Sequence, residues 1–180
     1  MNFITTPFEG LIIIEPKIFR DHRGYFFESY NKEEFKKNGI PAEFMQDNQS
    51  LSNKGVLRGL HFQLPPFEQG KLIRVTEGAV LDICVDIRKS SSTFRKYFSI
   101  ILNGTENKML WVPPGFAHGF LTLEDETVFM YKCTNLYNKE SEKGIRYNDP
   151  DLDIKWNEAN PVLSDKDLEL PLLKDLISLI

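Results

Sequence analysis

A chain of 180 residues, 41% of them hydrophobic and spread along its whole length, is long enough to bury one core, and no Gly/Ser/Pro linker or composition shift divides it. The formal net charge of −4, from 22 basic and 26 acidic residues, and the dispersal of the basic ones exclude a surface built to track a nucleic-acid backbone. The longest unbroken apolar stretches, such as Leu11 to Ile14, are too short to cross a bilayer, and MNFITTPFEG has neither the basic start nor the apolar run of a secretory signal. A single domain over residues 1–180, cytoplasmic and without a membrane partner, is the expectation.

In chain order, alternating apolar residues predict strands at Leu11 to Phe19 and Tyr25 to Tyr30. Asn31 can then cap a short helix through Lys37, stopped by Gly39 and Pro41. Strand patterning resumes at Phe44 to Gln49, Val56 to Gln63 and Leu72 to Arg88, the last broken by a Glu77-Gly78 turn. It continues at Tyr97 to Leu102, Met109 to Val112 and His118 to Thr134, where Glu124-Asp125-Glu126 marks a second turn. Ser164 can cap a helix over Asp165 to Leu170. Cys84 and Cys133 lie in alternating apolar runs, as small buried hydrophobes do, and their spacing suggests neither a disulfide nor a metal site. Many short strands with little helix predict an all-β fold, a closed jelly roll of the cupin double-stranded β-helix type.

Four side chains can carry chemistry. His61 ends the strand GVLRGLHFQ before a double proline; Arg58 stands three positions earlier and strict alternation would turn the two to opposite faces, unless Gly59 marks a bulge or bend. Lys71 opens KLIRV and reads equally well as a solvated lysine, while Tyr131 shares a strand face with Phe129 and Cys133 and reads equally well as a core aromatic. Asp167, in LSDKDLELP, has the bland reading of a first-turn helix acid. Pro113-x-Gly115-x-x-His118 has the form of the second cupin metal motif, and a metal-dependent reading would combine His61, Gln63, Glu68 and His118. Gln63 stands where such a site expects imidazole, and a transition metal prefers imidazole to an amide oxygen.

The segments DHRGYFFESYN, QDNQS, GVLRGLHFQ, QGKLIRV, VDIRKSSSTF, WVPPGFAHGFL, YKCTNLYNKESEKGI, NDPDLDIKW and LSDKD, in that order, resemble the dTDP-4-dehydrorhamnose 3,5-epimerase family over almost the whole chain. The resemblance implies a cupin jelly roll, a homodimer, and epimerisation of dTDP-4-dehydro-6-deoxy-D-glucose at C3 and C5 with no metal and no cofactor. By resemblance, His61 is the general base, Asp167 the carboxylate that orients it, Tyr131 the general acid and Lys71 the stabiliser of the enolate. Arg58, His118, Gln46, Asp47 and Asn48 match substrate-contacting positions, Tyr137 the aromatic that stacks on thymine, and Glu142 and Lys166 further ligand contacts. Arg23 and Glu28 match positions supplied by the neighbouring subunit through an exchanged N-terminal segment. Relatives with the same base and acid epimerise only one carbon or take another nucleotide sugar, so a single-site epimerase is the alternative enzyme. A non-catalytic sugar-nucleotide binding cupin would gain ground if Tyr131 pointed into the core.

Overall fold

The computed structural model describes residues 1–41 and 43–180. Thirteen strands and three short helices follow one another: β1 (Asn2–Thr5), β2 (Ile12–Glu15), β3 (Phe19–Asp21), β4 (Gly24–Phe26), α1 (Lys32–Lys37), β5 (Gln46–Ser52), β6 (Leu57–Gln63), β7 (Lys71–Glu77) and β8 (Ala79–Asp86). Then come β9 (Tyr97–Asn103), β10 (Met109–Val112), β11 (Phe116–Thr122), β12 (Thr127–Cys133), β13 (Glu142–Gly144), α2 (Asp165–Leu168) and α3 (Leu173–Leu176). A six-stranded sheet in the order β1-β2-β10-β7-β12-β5 faces a five-stranded sheet in the order β13-β6-β11-β8-β9, and β3 and β4 form a separate hairpin. The pairings are antiparallel, and the expected all-β jelly roll is what the chain forms.

Period-two alternation builds the layers. On the inner faces, Ile73 and Val75 of β7, Val80 and Cys84 of β8, Phe116 and Phe120 of β11 and Phe129 of β12 make one cluster between the sheets. The outward residues of the five-stranded sheet, among them Leu57, Ile83, Val85 and Leu121, pack under the C-terminal segment through Leu152, Trp156, Leu173 and Leu176. Ile12, Ile14, Leu72, Met109 and Trp111, on the outer face of the six-stranded sheet, are covered by Phe35 of α1 and by Ile40. Both cysteines are free and buried. The inner cluster fills only part of the space between the sheets; polar residues occupy the rest, and that is where the site lies.

Several boundaries depart from the sequence pattern. The strand expected from Leu11 to Phe19 is divided at Pro16, which has no N–H for a ladder, into β2 and the start of β3. Of Tyr25 to Tyr30 only the first two residues belong to a strand, and the second helix ends at Leu168, ahead of Pro171. The three-residue β13 and one-turn α3 are too short to leave a periodic signal, and β1 pairs only at the sheet edge.

Candidate active site

The cavity between the sheets has two communicating lobes. The larger, of ≈ 340 Å³, is lined by Asn48, Arg58, His61, Lys71, His118, Tyr131, Lys166 and Asp167 together with Gln49, Ser50, Phe120, Phe129 and Ser164. The smaller, of ≈ 90 Å³, shares Asn48, His61, Lys71 and Tyr131 and adds Gln46, Gln63, Gln69, Cys133, Tyr137 and Glu142. One wall comes from β6, β8 and β11, where His118 stands opposite His61 on one side and Cys84 on the other. The facing wall comes from β5, β7 and β12, where Tyr131 is flanked by Ile73 and Asn48, and Cys133 by Lys71 and Gln46.

Gly59 puts Arg58 and His61 on the same side. It takes φ +129°, and the pairing of β6 with β11 shifts register between His118 and Phe120. A Cβ there would come within 2.5 Å of Gly119 Cα, so only glycine allows the two strands to approach this closely. The shift reverses the alternation after Arg58, and both side chains therefore line the larger lobe.

His61 Nε2 lies 2.6 Å from Asp167 Oδ1. Ser164, the N-cap of α2, accepts the Asp167 backbone N–H at 3.2 Å, which fixes where the carboxylate projects. Burial alone would push the Asp167 carboxyl up, but the hydrogen bond and charge of His61, the Gly59 N–H and the Ser164 hydroxyl outweigh it and hold the group below its ordinary value. Ionised Asp167 is acceptor only, so the bond requires a proton on Nε2 of His61, and in the neutral imidazole this leaves the lone pair on Nδ1.

A second pair lies alongside: His118 Nε2 is 2.9 Å from Asp82 Oδ2, both buried. Burial pushes the His118 imidazolium down, and the charges of Lys71 and His61 push the same way, against the attraction of Asp82. Burial likewise lowers Lys71, whose Nζ lies 5.9 Å from the centroid of the Tyr131 ring. Tyr131 moves in the other direction: burial and the neighbouring Cys133 and Glu142 raise its phenol, with only Arg58 opposing, so it holds its proton through neutral pH. Its ring packs against Phe129 at 5.9 Å, yet it borders both lobes rather than being sealed in the core.

At the outer end of the smaller lobe, the Tyr137 hydroxyl donates to Glu142 Oε2 at 2.7 Å and Lys166 Nζ reaches the same oxygen at 2.6 Å. Burial would raise the Glu142 carboxyl, and these two partners lower it on balance. Arg23, Glu28 and Asp47 are not brought to the cavity. Arg23 sits in the turn of the β3–β4 hairpin, exposed and paired with Asp21, and Glu28 accepts from Asn31. Asp47 alternates to the opposite face of β5 from Gln46 and Asn48, where it pairs with Lys132 at 2.6 Å.

The four donors of the metal-dependent reading are not gathered. Gln63 spends its amide on backbone groups, and Glu68 lines a different, apolar cavity. Among the described residues Asp82, Cys84 and His118 do place ligand atoms within 4.8 Å of one another. The Lys71 ammonium acts on all three, which opposes a cation there. Sequence reading passed over Asp82, Ser50 and Ser164 as site residues. The signal for Asp82 was present, since an acid in phase with Cys84 inside LDICVD has to face the interior and needs a partner there.

A sequence profile described as dTDP-4-dehydrorhamnose 3,5-epimerase matches residues 5–175. The dTDP-4-dehydrorhamnose 3,5-epimerase of Shigella flexneri is 51% identical over 169 residues, 93% of each chain. A crystal structure of the dTDP-6-deoxy-D-glucose-3,5-epimerase of Legionella pneumophila, in complex with dTDP-4-keto-L-rhamnose, superposes with a TM-score of 0.92 at 47% identity, covering 96% of this chain and 93% of that one. A 3'-monoepimerase from Streptomyces bikiniensis, solved with dTDP-quinovose, shares the fold at a TM-score of 0.92 with 32% identity over 98% of this chain and 90% of that one.

Proposed function

The chain belongs to the dTDP-4-dehydrorhamnose 3,5-epimerase family, and we propose that it converts dTDP-4-dehydro-6-deoxy-D-glucose to dTDP-4-dehydro-L-rhamnose by inverting C3 and C5. The observation that carries this reading is the placement of His61 and Tyr131 on different sheets, facing one cavity. A hydrogen next to a ketone is weakly acidic, and epimerisation needs its removal on one face and a proton returned on the other. Two groups on opposite walls of a sugar-sized space meet that requirement without a redox step.

In this reading His61 Nδ1 takes the proton, because Asp167 occupies Nε2 and stabilises the imidazolium as it forms. The electron pair moves onto the C4 oxygen, and the Lys71 ammonium, poorly solvated in the cavity, stabilises the enolate. Tyr131 then delivers its phenolic proton to the opposite face of the carbon. With the ketone at C4, both C3 and C5 are adjacent to it, so one base and one acid serve both carbons as the sugar shifts. Arg58, His118 and Asn48 contact the sugar and diphosphate, and Tyr137 lies under thymine beside Glu142 and Lys166.

Arg23 and Glu28 complete the site of a second copy in a homodimer. What supports this is the hairpin itself: Phe19, Tyr25 and Phe26 are all exposed on it, and Arg23 sits at its turn. The enzyme works in the cytoplasm on a soluble nucleotide sugar. Incubation with dTDP-4-dehydro-6-deoxy-D-glucose in deuterated water tests the reading: deuterium at both C3 and C5 of an inverted product supports it, and label at one carbon alone assigns the single-site alternative.

A further inference from the structure

Gln63 lies two residues beyond His61 on β6, 8% exposed, and in phase with His61 it faces the smaller lobe. Its amide is fully committed. Nε2 donates to Phe67 O at 2.5 Å and to Leu136 O at 3.1 Å, while Oε1 accepts the Asn138 N–H at 2.7 Å. One side chain thus ties the loop after β6 to the segment after β12, on both sides of Tyr137. A second amide completes the clamp: Gln46 Oε1 accepts the Tyr137 N–H at 2.8 Å. Gln69 Nε2 bonds Asn135 O at 2.8 Å, and Asn135 Nδ2 bonds Pro66 O at 3.2 Å.

The ring these bonds carry is itself little supported. Tyr137 is 53% exposed, and its hydroxyl bond to Glu142 lies at the tip of the side chain. An aromatic that presents its face to solvent loses affinity for a stacking ligand if its backbone must be ordered on binding. We infer that Gln63 is a positioning residue for the nucleotide, holding residues 136–138 in place so that the Tyr137 ring is set for stacking before the ligand arrives. The inference rests on the reading of Tyr137 as the platform for the base. It also explains why an amide occupies this position next to the base His61: both donors and the acceptor are needed by backbone groups that run in opposite senses, and no imidazole supplies that set.

Gln63 then acts on binding and not on turnover. Gln63→Met keeps length and volume and removes all three bonds, and we expect dTDP Kd and substrate KM to rise about tenfold with kcat within about twofold of the parent. Calorimetric titration with dTDP alone supplies the Kd, and a double-mutant cycle with Tyr137→Ala separates positioning from general loosening. If Gln63 works through Tyr137, the penalty of Gln63→Met falls below about twofold when the ring is already absent. Should Gln63→Met fail to accumulate folded, Gln63→Glu, which deletes the amide donors, is read against the same thresholds. A full tenfold penalty in the Tyr137→Ala background, or a fall in kcat without a rise in Kd, overturns the inference. So does wild-type dTDP affinity in Gln63→Met while Tyr137→Ala weakens binding, and in that case the stacking reading stands. Unchanged affinity in Tyr137→Ala removes the stacking reading and the inference with it.

Discussion

Asp167 holds the Nε2 of His61 at 2.6 Å from 106 residues away in the chain, on a one-turn helix whose cap, Ser164, also lines the cavity. In the proposed reaction the pairing decides which nitrogen is the base and keeps it in one tautomer. It also makes the carboxylate a positioning group, whose loss is felt in the chemical step.

Asp167→Asn should therefore lower kcat by at least about 10²-fold while leaving KM within a few-fold, because an amide can leave the proton on the wrong nitrogen. Steady-state kinetics on the folded variant checks this. A KM effect larger than the kcat effect would assign Asp167 to binding instead.

In the proposed reaction Lys71 sets an alkaline limit. Burial lowers its ammonium below the ordinary 10.5 of lysine, and the charged form is the one that stabilises the enolate, so kcat falls as pH rises through that lowered value. Lys71→Arg, charged at any accessible pH, should move this limb upward even at reduced rate, and Lys71→Met should cost about 10²–10³ in kcat. The same burial makes the charged lysine a cost to folding at neutral pH, so Lys71→Met is expected to raise Tm as it lowers activity. A pH profile identical in Lys71→Arg and the parent rules out Lys71 as the titrating group.

Asp86, away from the site, sets acid stability. Burial would raise its carboxyl, but Arg88, Ser91 and Thr93 together hold it at about 2 against an ordinary 3.8. A depressed folded value stabilises above the unfolded value and is lost as pH falls through the folded one. The difference corresponds to roughly 2 kcal/mol at neutral pH. Asp86→Asn should lose about that much by denaturant unfolding at pH 7, with the gap to the parent closing between about pH 4 and pH 2. A gap independent of pH would show that packing, not charge, is what the variant loses.

Subunit exchange tests the shared site. If Arg23 serves the partner's cavity, Arg23→Ala and His61→Ala are each inactive alone, and mixing them restores activity, since a mixed dimer has one site with both residues intact. After equal mixing and re-equilibration about a quarter of wild-type activity is expected. No recovery, with exchange shown by native mass spectrometry, places Arg23 outside the partner's site.

Much of this was legible in the residues. Alternation located most long strands, and the turn signals at Gly78 and Glu124–Glu126 fell at chain reversals, although each passes the chain from one sheet to the other rather than closing the hairpin the pattern suggests. What alternation hides is a change of phase. Arg58 and His61 share a face only because Gly59 shifts the register, and that depends on the approach of Gly119 from another strand. Asp82 became a site residue through His118, a partner 36 positions away that pairing brings close. Gln63 was read by the ligand it fails to be, whereas its role comes from backbone groups at Phe67, Leu136 and Asn138 that no local pattern announces.

The placement of base and acid on opposite walls is tested most directly by comparing His61→Ala and Tyr131→Phe in deuterated water. Both variants are first shown to be folded by circular dichroism, since Tyr131 also packs against Phe129. His61→Ala should neither exchange protons nor form product, because no enolate arises without the base. Tyr131→Phe keeps the ring and removes the donor, so deuterium should still enter at a sugar carbon while inverted product falls by about 10²-fold or more. Wild-type amounts of inverted sugar from Tyr131→Phe, or wild-type exchange in His61→Ala, would contradict the account.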